Sequence, residues 1–190
     1  MWVYRSGHLY TDKQIVLYDY HKTRNSSHPR KFLRDYSGIC VTDGYQVYHT
    51  IEKEREDLRI AGCWVHARRK FDEALNVIPK AHQNKSDAFL VIKQIQAIYR
   101  EEGKLNTLSS EERLMQRQLV IKPLVDALFV YLKKMEPTVP ASGQLRKAYT
   151  YILNQEKYLR VFLEDGEVPI DNNASLSSVY FYPHLLPKLA

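Results

Sequence analysis

The feature that most constrains this chain is a change of periodicity at Pro79. Before it, short runs rich in β-branched and aromatic residues alternate with stretches of helical spacing; after it, apolar residues recur only at steps of three and four. The expected fold class is therefore α/β, with strands and helices first and then a helical block of roughly eighty residues, a size that suits an insertion or a small subdomain. The boundaries this implies are a strand-bearing core over residues 1–79, a helical insertion over 80–168, and a return segment with a compositionally different tail over 169–190.

In the first part, Trp2-Val3-Tyr4-Arg5 and the run from Gln14 to Tyr20 read as neighbouring antiparallel strands, with a turn-like Ser6-Gly7 between them. His21 to His28 is a polar loop. Pro29 suits the first turn of a helix through Phe32 and Leu33, which Gly38 ends. Ile39-Cys40-Val41-Thr42 is a short apolar run that stops at Asp43-Gly44, and Leu58 to Cys63 reads as a buried strand feeding directly into a helix. On that helix Trp64, Arg68, Phe71, Leu75 and Ile78 form one stripe, with the Arg68 stem along it and its charge at the edge. Beyond Pro79, Ser86 caps a helix with Ala88, Ile92, Ile95 and Tyr99 inward, and Ser109 with Glu112 makes a capping box. A following stripe of Leu114, Ile121, Val125, Leu128 and Leu132 contains Pro123, which should kink it. Leu145, Tyr149, Ile152 and Leu159 make a third face, closing at Asp165-Gly166. Most acids on these helices read as solvated surface.

Charge narrows the partners. The net charge is +6, from 28 basic and 22 acidic residues, which suits a polyanion such as DNA. The excess is clustered. Lys22, Arg24, Arg30, Lys31 and Arg34 face a single acid, Asp35, between His21 and Val41, and a second cluster holds His66, Arg68, Arg69 and Lys70. No apolar run approaches the ~20 residues that span a bilayer, and Met1 to Arg5 lacks the pattern of a signal peptide, so a cytoplasmic location without membrane contact is expected. Cys40 and Cys63 sit in apolar stretches, in neither CxxC nor HxxxH spacing, and read as two reduced buried thiols.

Three segments have residue types that support chemistry. Asp43 follows a buried-looking strand; a carboxylate at a strand's C-terminal end faces the crevice where α/β sheets bind ligands, and it suits a hard cation. Asp-Gly is also ordinary turn chemistry, and on local sequence alone the turn is the stronger reading. Gly62 to Phe71 places His66, Arg68, Arg69 and Lys70 on the first turns of a helix, able to grip phosphates or to form a solvated face. Pro169-Ile170-Asp171-Asn172-Asn173 has the form of a helix cap or Asx turn.

Taken together these segments resemble the catalytic region of transposases of the insertion-sequence-66 family. The resemblance runs through Met1-Trp2-Val3-Tyr4-Arg5, Ile15 to Tyr20, His28-Pro29 with Phe32-Leu33, and Thr42-Asp43-Gly44-Tyr45. It continues through Gly62-Cys63-Trp64-Val65-His66-Ala67-Arg68-Arg69-Lys70-Phe71, Phe162 to Gly166, and Pro169-Ile170-Asp171-Asn172-Asn173. It implies a ribonuclease H-like mixed sheet with a helical insertion, and an Asp-Asp-Glu triad that binds Mg²⁺ or Mn²⁺ for phosphodiester cleavage and strand transfer on DNA. It makes Asp43 the second aspartate and a metal ligand. The family's first aspartate lies on a strand upstream of Trp2, and its glutamate position, three beyond Asp-Asn-Asn, is Leu176 here. The expectation is a transposase fragment inactive on its own, with the apolar tail from Val179 to Leu186 or a second chain covering a sheet edge. A non-catalytic DNA-binding module and a structural domain that forms a homo-oligomer are the alternatives.

Overall fold

The computed structural model describes residues 2–6 and 15–172. The Ser6-Gly7 turn and the Asp-Asn-Asn motif are therefore only partly covered, and Leu176 and the apolar tail lie outside the described residues. The described strands and helices confirm a mixed α/β protein.

Two hydrogen-bonded pairs make up the strands. β1 (Trp2–Arg5) and β2 (Val16–Asp19) are antiparallel, with Trp2 opposite Asp19 and Arg5 opposite Val16. β3 (Gly38–Thr42) and β4 (Leu58–Gly62) are parallel, with Gly38 opposite Leu58 and Thr42 opposite Gly62. Instead of the single mixed sheet expected, the described strands form two separate two-stranded sheets. A shared layer of helices holds them: α1 (Ser27–Phe32) and α2 (Gln46–Lys53). Tyr4 of β1 stacks on Phe32 of α1 at 3.5 Å between ring centres, and Trp2 packs its ring against Tyr45 and Tyr48 at the start of α2. Leu33, Ile51, Leu58, Ile60 and Tyr158 form a small core around β4. Helix α1 ends at Phe32, before Gly38, which instead opens β3. The short helix α2 was not marked by the apolar pattern.

The helical block contains α3 (Trp64–Asn76), α4 (Lys80–Gln83), α5 (Asp87–Gly103), α6 (Ser110–Gln116), α7 (Lys122–Met135), α8 (Gln144–Asn154) and α9 (Glu156–Leu159). Ser86 accepts from the Phe89 N–H, and Ser109 with Glu112 closes the expected capping box. A π turn, Arg117–Ile121, precedes Pro123, which sits in the first turn of α7. The regular α-helical bonding is interrupted there, and the wider turn accommodates the proline's missing N–H and its ring. Trp64, Phe71, Ile95, Ile98, Val125, Leu128, Tyr149 and Ile152 form one continuous core, so α3 packs with α5, α7 and α8. Ala67 and Ala74 complete the buried stripe of α3, and their small side chains let α8 come close.

Two buried arginines anchor the return of the chain. Arg117 bonds Glu102 through Nε at 3.0 Å and through Nη2, while its Nη1 donates to the carbonyls of Phe162, Asp165 and Val168 at 2.7–3.0 Å. Arg113 donates to the carbonyls of Leu105, Leu108 and Gly166. The loop after the 3₁₀ turn Val161–Leu163 thus has its carbonyls satisfied by side chains rather than water. Among the described residues no helix is long and apolar enough to cross a membrane.

Candidate active site

Three sequence-distant segments meet at the C-terminal end of the parallel strand pair. The first is the loop after β3. There Asp43 is exposed, its Oδ1 accepts the Tyr45 N–H at 3.0 Å, and its own carbonyl accepts the Tyr151 hydroxyl at 3.0 Å. The turn reading of Asp43 is thus seen directly: the Asx turn fixes the carboxylate and leaves it facing solvent. Gly44 has φ of +81°, and a Cβ there would lie 2.7 Å from the Tyr151 hydroxyl, so both conformation and space demand glycine.

The second is the entry to α3. Leu58, Ile60, Ala61 and Gly62 are buried in β4, which leads through Cys63 straight into Trp64. Trp64 is fully buried and donates its indole N–H to the Leu159 carbonyl at 2.9 Å, which fixes the helix start. His66 then lies between acids and bases. Its pKa is lowered chiefly by burial; Arg69 and Lys70 push it the same way, while Asp43 and Asp171 oppose them. Burial therefore favours the uncharged ring near two carboxylates, and its buried Nδ1 has no hydrogen-bond partner among the described residues.

The third is the return segment. The Ile170 carbonyl accepts the Trp64 N–H at 3.2 Å, and the Asn172 N–H reaches Cys63 Sγ at 3.5 Å. Asp171 Oδ2 accepts the Tyr99 hydroxyl at 2.8 Å. The buried Oδ1 of Asn172 has no partner among the described residues. Asp171 thus acts as more than a local cap: it is held from α5. Both cysteines are free thiols, as expected, with Cys63 buried and the Cys40 thiol pushed up by burial to about 11.

The basic candidates divide by partner. Arg68 pairs with Asp72 at 3.6 Å and Lys70 with Glu73 at 3.2 Å along α3, while Arg69 is exposed. Arg30 is held by a two-toothed pair with Glu54, just after α2, at 2.8 and 3.0 Å; Lys31 is exposed beside it. Exposed pairs of this kind contribute little and reopen readily for a phosphate. The structure brings Asp43 and His66 together, with Arg69 and Lys70 in electrostatic reach, whereas Arg30 and Lys31 lie on α1. The sequence did not mark Tyr99 and Tyr151 as site-holding hydroxyls. Tyr99's place on an inward stripe was its only signal.

A Mg²⁺ ion wants near-octahedral oxygen ligation, commonly from more than one carboxylate plus water. Among the described residues, no group of three or more His, Cys, Asp or Glu side chains could hold a metal ion. Asp43 and Asp171, separated by His66, do not make a metal centre by themselves, and no catalytic step is assigned through one.

The chain matches the family model described as Transposase IS66 family over residues 1–176. It is similar to three proteins of Sinorhizobium fredii (strain NBRC 101917 / NGR234), each named only as an uncharacterized protein. It is 31% identical to y4hP over 175 residues, covering 87% of this chain and 32% of y4hP. It is 29% identical to y4qI over 182 residues, covering 91% of this chain and 33% of that protein, and 28% identical to y4jD over 163 residues. The chain thus spans about a third of the length of the curated relatives it matches. No solved structure matches it.

Proposed function

Because the chain belongs to the IS66 transposase family, we propose that it is part of a DNA transposase's catalytic core, in which Asp43 is one carboxylate of a Mg²⁺- or Mn²⁺-dependent site. The observation that carries this reading is the convergence of the Asp43 loop, the first turn of α3 and the Asp171 segment beside His66. The ion needs carboxylates besides Asp43 and Asp171, so the described residues by themselves are expected not to cleave or join DNA. Arg68, Arg69 and Lys70 on α3, with Arg30 and Lys31 on α1, serve as phosphate contacts.

A ribonuclease H-like architecture is supported by the parallel β3–β4 pair with its carboxylate at the strand end, and by an antiparallel pair lying under the same helices. The buried Trp2 Nε1, Tyr4 hydroxyl and Thr42 hydroxyl have no partners in the described residues, which fits two half-sheets that a further strand joins. On this reading the domain boundary falls near residue 79, with α3 bridging both parts.

The reading is tested by titrating Mn²⁺ into the isotope-labelled chain. Paramagnetic broadening should centre on residues 42–45 and disappear in Asp43→Asn. Broadening that is unchanged in that variant would remove Asp43 from the metal site. In a cleavage assay with Mg²⁺ or Mn²⁺, turnover abolished by Asp43→Asn would overturn the expectation that the chain is inactive alone. A non-catalytic DNA-binding module is the second reading, favoured by the exposed Arg69 and Lys31. It predicts salt-dependent duplex binding that Asp43→Asn leaves intact.

A further inference from the structure

A cavity of about 350 Å³ opens between the end of β2 and α1 and is lined by Asp19, His21, His28, Lys31 and Phe32, not by Asp43. The His21 and His28 imidazoles are stacked face to face, 3.5 Å between ring centres and 8° from parallel. His21 Nε2 lies 2.8 Å from Asp19 Oδ2, and His28 Nε2 lies 3.2 Å from the Thr23 hydroxyl. Both rings are partly buried.

We propose that this cavity seats one phosphate oxyanion of a DNA backbone, gripped by Lys31, His28 and His21; the choice of DNA as the source rests on the reading above. Two imidazoles in face contact repel if both are protonated. Among the described residues Asp19 is the one acid lining the cavity, and it pairs with His21. A bound oxyanion offsets that repulsion, so binding should strengthen as the pH falls. The other charges around the rings come from three elements. Lys31 and Arg30 stand on α1, with Arg30 held by Glu54 at the end of α2, and the exposed Lys22 and Arg24 lie on the loop between β2 and α1. This excess of cations disfavours a metal ion and favours a phosphate.

The test measures affinity of the full chain for a short duplex across a salt series, near pH 7.5 and near pH 6, where phosphodiesters keep their charge. On moving to the lower pH the log–log salt slope should steepen by about 0.9 for each imidazolium that joins the contact. His28→Gln should give the same slope at both pH values. Lys31→Gln should be shallower by about 0.9 at both and still steepen. Steepening that persists in His28→Gln overturns the site. Sulfate, a dianion at both pH values, is the second probe, read from the imidazole signals of ¹⁵N-histidine-labelled protein. Sulfate-dependent shifts of His21 and His28 without duplex binding would keep the oxyanion site and reject DNA as its source. Duplex binding whose slope is independent of both pH and His28, with sulfate leaving both imidazoles unmoved, would reject the site and spare the DNA reading.

Discussion

The two ends of this molecule meet their polar and apolar groups in opposite ways. In the helical block Trp64 and Ile95 are wholly buried, the starts of α5 and α6 are capped by serines, and the buried Arg117 is held by one carboxylate and three carbonyls. In the strand-bearing part Leu17 is 48% exposed and Tyr20 64%, and the Trp2 indole N–H and the Tyr4 and Thr42 hydroxyls are buried without partners among the described residues. The block's long-range contacts are made by charged side chains and a continuous core, whereas the strands are paired only two by two among the described residues. The candidate-site loop lies where the two parts meet.

The contrast should be easiest to break at Arg117. Replacing it with alanine strands the Glu102 carboxylate and three carbonyls, and should cost about 3–5 kcal/mol in urea unfolding. An Arg117→Met, Glu102→Leu double variant should recover most of this, because it removes both charges; no recovery would mean that the carbonyl contacts, not the ion pair, dominate.

A smaller effect is expected from pH at the seam. His49 is buried against Tyr158, 3.9 Å between ring centres, and its pKa is lowered first by burial, then by Lys157 and Lys53, against opposition from Glu52. A histidine with a depressed folded pKa binds fewer protons than in the unfolded chain. Stability should therefore fall as pH drops below the ordinary histidine value of about 6.5, and stop falling once the folded pKa is passed. His49→Gln should flatten part of this fall, leaving the share of His66, which burial shifts the same way. An unchanged profile would place the titration elsewhere.

The smallest effect belongs to the strands. Leu17→Ser on exposed β2 should change stability by no more than about 0.5 kcal/mol. A loss several times larger would show that the strand face is already covered in solution.

What could be read from one dimension follows the range of the forces. The caps at Ser86 and Ser109 act within three residues, and both were visible in the sequence. The strands ending at Thr42 and Gly62 were visible because β4 is buried and bounded by turn residues. The buried charges were not. Glu102 looked like solvated surface because its partner is fifteen residues away and that partner's carbonyls are about fifty away. One clue was present: Arg117 lies between Leu114 and Ile121 on the same inward stripe, where a charge must find a partner. At the site, Asp43 was legible as the end of a strand. Its neighbours His66 and Asp171 met only once the chain had folded back through Trp64 and Ile170. The division into two sheets left no trace in the apolar pattern, which reports which residues are buried but not which strands pair.

The hydroxyl of Tyr151, on α8, holds the Asp43 carbonyl and fills the space where a Gly44 side chain would stand. The aim of the carboxylate is thus set from behind, by a half-buried side chain of a helix distant in sequence. Substitutions in α8 would re-aim Asp43 without changing it, and variation among relatives is best sought there as well as at the carboxylates themselves.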